Sequence, residues 1–114
     1  MDSHGIQSVY GTDGTRTLVL HGALTLKTLY DFQDLARKTE APSLIVDLAD
    51  VPYIDSAGLG AILGAFASCQ RHGRKFGLIH VSDRVRAVFK VAKVHTILPV
   101  FESSEAAKGA FAAG

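Results

Sequence analysis

The apolar positions of this chain switch repeatedly between a two-residue and a three-to-four-residue spacing, the signatures of strand and helix. Ser8-Val9-Tyr10 and Thr15-Arg16-Thr17-Leu18-Val19-Leu20-His21 flank the turn cluster Gly11-Thr12-Asp13-Gly14, which predicts a β-hairpin. After Gly22, Leu26, Leu29, Phe32, Leu35 and Ala36 recur at helical intervals, with Thr25 or Thr28 available as N-cap. That helix should close near Thr39, ahead of Pro42. Leu44-Ile45-Val46-Asp47-Leu48 is a short run of branched apolar residues, as a central strand covered on both faces requires.

A second helix should open at Asp55-Ser56 and run to about His72, with Gly73 as its C′ residue. Phe76 to Val81 reads as a further strand, and Ser82 with Asp83 starts a helix whose apolar stripe is Val85, Val88, Phe89 and Ala92. Ile97 to Phe101 suits a short edge strand limited by Pro99, and Ser103 or Ser104 caps a last helix from Glu105 to Ala113. The order ββαβαβαβα implies parallel pairs joined by right-handed crossovers, hence an α/β fold with a mixed sheet carrying helices.

The middle helix is the anomaly. Its opening, Asp55-Ser56-Ala57-Gly58-Leu59-Gly60-Ala61-Ile62-Leu63-Gly64, holds three glycines, each costing a helix roughly 1 kcal/mol relative to alanine. Projected at about 100° per residue, Leu59, Ile62, Leu63, Phe66 and Cys69 form the expected core face. Ala57, Ala61, Gly64 and Ser68, flanked by Gly60 and Ala65, form the opposite one. From Ser56 to Gln70 there is no charged side chain. Such a helix is either buried all round, hard to arrange in a small domain, or presents a neutral patch to a partner, and the second reading is preferred. Glycine permits close backbone approach, to a partner or to a neighbouring element of the same domain. One of Gly58, Gly60 and Gly64 is expected to serve the domain itself.

Ser56 has two readings. As the first residue of a helix it should cap, its oxygen accepting from an amide two or three residues on. It also lies at a helix N-terminus beside the neutral patch, where free amides tolerate added negative charge, so a phosphate could be placed there without unfolding the domain.

The remaining composition narrows the setting. The 114 residues suit one domain, and a net charge of +1 gives no electrostatic reason to expect nucleic acid or an anionic membrane as partner. A lone Cys69, no apolar run long enough to span a bilayer and no signal-peptide pattern point to a cytoplasmic protein, monomeric or weakly dimeric.

Ile45-Val46-Asp47-Leu48, followed by Ile54-Asp55-Ser56-Ala57-Gly58-Leu59-Gly60, resembles the signature of bacterial anti-sigma factor antagonists, single-domain members of the STAS superfamily. The likeness continues through Ala61-Ile62-Leu63-Gly64, Arg74-Lys75-Phe76-Gly77-Leu78 and Ser82-Asp83-Arg84-Val85, and covers about residues 9–107. It implies a mixed sheet of four to five strands with helices mainly on one face. It also implies phosphorylation of Ser56 by an anti-sigma factor that is a GHKL-type serine kinase. The unphosphorylated form would bind that kinase and free the sigma factor, and a PP2C-type phosphatase would restore the complex. Asp55, Ala57, Gly58, Leu59, Gly60, Ala61 and Gly64 would then form the binding surface, with Asp55 orienting Ser56 or helping the kinase to position it. Members that are kinase substrates often carry Gly-Glu-Leu-Asp before the first helix, where this chain has Gly22-Ala23-Leu24-Thr25.

Two alternatives stand beside this reading: a STAS subunit of a scaffold or transporter that binds constitutively, and a small serine hydrolase or ligand-binding enzyme. The hydrolase lacks a G-x-S-x-G elbow, and Gly-Leu-Gly-Ala-Ile-Leu-Gly misses dinucleotide-loop spacing by one residue. His4, His21, His72, His80 and His95 lack metal-ligand spacing and are expected in solvated or strand-terminal places. Arg86, Lys90 and Lys93 read as a solvated helix face, and Cys69 as a small buried hydrophobe. No cofactor or catalytic residue is expected.

Overall fold

A computed structural model describes residues 5–38 and 40–113. The hairpin forms as its turn chemistry dictates: β1 (Ile6–Tyr10) pairs antiparallel with β2 (Thr15–His21), and Gly14 takes the left-handed conformation in the turn between them. Next come α1 (Leu29–Arg37), β3 (Ser43–Asp50), α2 (Ser56–Arg71), β4 (Lys75–Ile79), α3 (Asp83–Val91), β5 (Val100–Phe101) and α4 (Ser104–Ala113). The sheet order is β1-β2-β3-β4-β5, with every pair after the hairpin parallel, so β3 is the central strand.

Alternation along β3 splits the core in two. Leu44, Val46 and Leu48 point to one face, where Phe32 of α1, Leu59 and Ile62 of α2, and Val85 and Phe89 of α3 complete the main cluster. Ile45 points to the other face and packs with Ile79 and with Ala107 of α4. Three helices thus cover one face and a single helix part of the other, the STAS-like mixed arrangement.

Several boundaries differ from the sequence expectation. Thr28 occupies the N-cap position of α1, but its hydroxyl makes no cap bond: it accepts from Thr25 N–H and donates to the Ala23 carbonyl, folding the preceding loop instead. Leu26 consequently lies outside the helix and is exposed. The expected closure at Thr39 falls outside the described residues, and the helix ends at Arg37. Ile97 is turned outward in a tight turn from Val94, leaving only Val100 and Phe101 to pair as β5. Pro99 has no N–H to give the ladder, but its carbonyl accepts from Leu78. Ala92 is the exposed C-cap residue of α3, beyond the buried stripe of Val85 and Phe89. Ser82 caps α3 through Val85 N–H, and Ser103, not Ser104, bonds the first turn of α4 through Ala106 N–H.

Candidate functional site

The site is the junction where β3 delivers the chain to α2, beside the loop that joins β2 to α1. A parallel bridge between Leu24 and Ile54 runs the two segments side by side, with Leu24 N–H donating to the Tyr53 carbonyl and Asp55 N–H to the Leu24 carbonyl. Asp55, in extended backbone conformation, is the N-cap of α2. One of its carboxylate oxygens accepts from Gly58 N–H at 2.8 Å and the other from Leu26 N–H at 3.0 Å. These two amides, Gly58 first, hold the Asp55 carboxyl below its ordinary value of 3.8. Both oxygens are therefore engaged in fastening the loop to the helix start.

This corrects the assignment of the cap to Ser56. Asp55 and Ser56 are equally good N-cap types, and the extended backbone falls at Asp55. Ser56 is the first residue of the helix and is exposed, and among the described residues its hydroxyl has no hydrogen-bond partner.

The face of α2 turned to water is also not the one projected from sequence. Ala61 is 2% exposed and Ala65 8%, because α1 packs along that flank as well as the sheet packing beneath. The outer strip is Ser56, Gly60, Gly64 and Ala67, bordered by half-buried Ala57 and Leu63. It is rotated by roughly one residue's step of 100° from the expected face. Leu63 and Phe66, expected in the core, are half-buried and pack against it, Phe66 with its ring 5.6 Å from that of buried Phe76. The strip remains free of charge until Arg71.

The three glycines separate cleanly. A Cβ on Gly58 would collide with the Leu24 carbonyl, its carbon only 2.8 Å away, so Gly58 exists for the loop crossing above it. A Cβ on Gly60 or Gly64 would meet nothing within 4 Å. Of the proposed surface residues, Gly58, Leu59 and Ala61 are therefore buried and unavailable to a partner, whereas Gly60 and Gly64 are exposed and Asp55 and Ala57 half-exposed.

Sequence reasoning missed two neighbours. Leu26, 59% exposed, adjoins the site through its amide on Asp55, and Tyr53, 43% exposed, lies two residues before that aspartate. The Arg84 guanidinium stands 5.3 Å from the Tyr53 ring centre. The spacing that put Leu26 on a helical stripe concealed it; the Thr25-x-x-Thr28 turn ahead of Leu29 was the available signal.

The pattern of the STAS domain matches residues 7–107. The chain belongs to the STAS domain family. Among curated relatives of this STAS protein, the anti-sigma-B factor antagonist of Listeria monocytogenes is 30% identical over 78 residues, 68% of each chain. That of Staphylococcus aureus is 25% identical over 87 residues, 74% of this chain and 81% of its own. Solved structures with the same fold include an anti-sigma factor antagonist from Mycobacterium paratuberculosis, with TM-score 0.80, 17% identity and 96% of each chain covered. The anti-sigma factor antagonist SpoIIAA in its unphosphorylated form superposes with TM-score 0.76 and 19% identity, covering 94% of this chain and 96% of its own.

The histidines outside this site sit at element ends. His21 closes β2 and contacts Asp50 at 2.7 Å, His80 follows β4 and contacts Asp47 at 3.0 Å, and His72 is the C-cap residue of α2. His95 is exposed, and His4 lies outside the described residues. Cys69 is buried, which pushes its thiol pKa up. Among the described residues no helix is long and apolar enough to cross a membrane.

Proposed function

We propose that this STAS protein is an anti-sigma factor antagonist that works by partner switching. In its unphosphorylated form it binds an anti-sigma factor that is a GHKL-type serine kinase, and so releases the sigma factor. The kinase phosphorylates Ser56 and the complex breaks; a PP2C-type phosphatase reverses the modification. Residues 7–107, and with them the whole site, make one domain whose output is association, not catalysis.

The observation that carries this reading is the freedom of the Ser56 hydroxyl: exposed, released from capping by Asp55, and set at the head of the uncharged strip Gly60, Gly64 and Ala67. A phosphate there gains the favourable end of the helix dipole, so the fold tolerates it. The same phosphate places about two negative charges and three acceptor oxygens at the edge of a surface suited to dry, close packing, where they cost a partner desolvation and repulsion. Leu26, whose amide binds Asp55, and Tyr53, two residues before that aspartate, add exposed apolar groups next to the helix start.

The test is incubation with ATP and a GHKL-type anti-sigma factor serine kinase of the same organism, with the modified residue located by mass spectrometry. Phosphate on Ser56, and loss of the complex once it is there, is the expected result. Stable association with an unmodified Ser56 would favour the constitutive scaffold or transporter subunit.

A further inference from the structure

Beyond the first turn of α2, residues 61–72, the C-terminal half of α1 and the residue preceding β4 line a groove of about 410 Å³. Ala36, Ala61 and Ala65 form its floor, their short side chains leaving the space between the two helices unfilled. Arg37, Arg71 and Arg74 stand along it. A basic residue in the last turn of a helix complements the carbonyl end of the dipole, which accounts for Arg37 and Arg71 taken singly. It does not account for Arg74, which lies beyond the C-cap His72 and is half-buried in the same groove. Among the described residues none of the three guanidinium groups has a hydrogen-bonded or ionic partner. Elsewhere Lys38 pairs with Asp34, and Arg16 donates to Ser8 and to the Leu35 carbonyl. A chain of net charge +1 thus gathers three uncompensated cations over an apolar floor.

We propose that this groove binds a small organic phosphate. Guanidinium forks take oxyanions in bidentate pairs, and three of them exceed what the two oxygens of one carboxylate accept, whereas a phosphate monoester presents three. The alanine floor takes the apolar body of the ligand, and the volume lies in the range of small-molecule sites, roughly 300–1,000 Å³. The site is separate from Ser56, and its occupancy does not depend on modification there.

The full chain titrated with phenyl phosphate at low ionic strength, followed by amide chemical shifts in NMR, tests this, with inorganic phosphate and phenol as half-ligand controls. Phenyl phosphate is expected to shift the amides of Ala61, Gly64 and Ala65 and to saturate at lower concentration than either control. The double change Arg71→Gln with Arg74→Gln removes two guanidinium contacts and should weaken it more than about tenfold, the loss expected for one charge-assisted pair alone. Gly64→Leu keeps every charge and has open space at its Cβ, so it should keep the fold and fill the groove; it carries the test if the double variant unfolds. Shifts scattered over Lys90 and Lys93 as well, or an unchanged affinity in the Gly64→Leu protein, would overturn the proposal.

Discussion

The inner and outer sides of α2 are built from the same small residues for opposite reasons. On the inner side Gly58 lets the Leu24 carbonyl pass, and is small because something of this domain stands against it; Ala61 and Ala65 are buried on the flank toward α1, where their size leaves the groove between the two helices open. On the outer side Gly60 and Gly64 have nothing opposite them, and each costs helix stability that no internal contact repays. A glycine therefore says little until its neighbour is known. Where the neighbour is absent from the domain, the proposed partner surface supplies a physical reason for keeping it.

Substitutions on the two sides should accordingly separate folding from association. The largest effect expected is on binding: Ser56→Asp sets a fixed charge at the head of the outer strip. One like-charge pair at about 4 Å and an effective dielectric near 20 costs about 4 kcal/mol, on the order of a thousandfold in affinity for a partner bearing a carboxylate there. Melting temperature should barely move, and calorimetric titration against the kinase reads the affinity. Gly58→Ala reverses the pattern, with overpacking against the Leu24 carbonyl lowering stability by about 1–3 kcal/mol in urea unfolding. A Gly58→Ala protein as stable as the parent would contradict the close approach.

Asp55→Asn probes the tie between loop and helix. The folded Asp55 carboxyl lies below 3.8, so its contribution is complete above the ordinary carboxylate range and is lost as pH falls through the depressed folded value. Replacement by asparagine should lower the melting temperature at neutral pH and lessen its further fall in acid. Smaller still, Gly64→Ala should raise stability by up to about 1 kcal/mol while weakening partner binding. Smallest is Ser56→Ala: since the hydroxyl caps nothing, its effect on stability should stay within about 0.5 kcal/mol, as at an unengaged surface position.

Much of this was readable in the chain. The Gly11 to Gly14 turn fixes the hairpin, and the unbroken apolar run of β3 fixes the central strand, because each signal is local and has one structural solution. The orientation of α2 was not readable to the same degree. A helical projection finds the sheet-facing side from the large residues, but alanine looks the same whether it meets water or a second helix, and nothing in residues 56–71 states where α1 will lie. The cap was ambiguous for a similar reason: Asp55 and Ser56 are equivalent by type, and the Leu24 crossing, contributed by a segment thirty residues earlier, decided between them.

That crossing has a consequence for how such a protein diversifies. The clamp at Asp55 grips the amides of Leu26 and Gly58, not their side chains. Ala23 and Lys27 can therefore be exchanged for other chemistries without shifting Ser56, the proposed phosphoryl acceptor. On the proposed function, specificity can be rewritten in the loop while the switch itself is inherited intact.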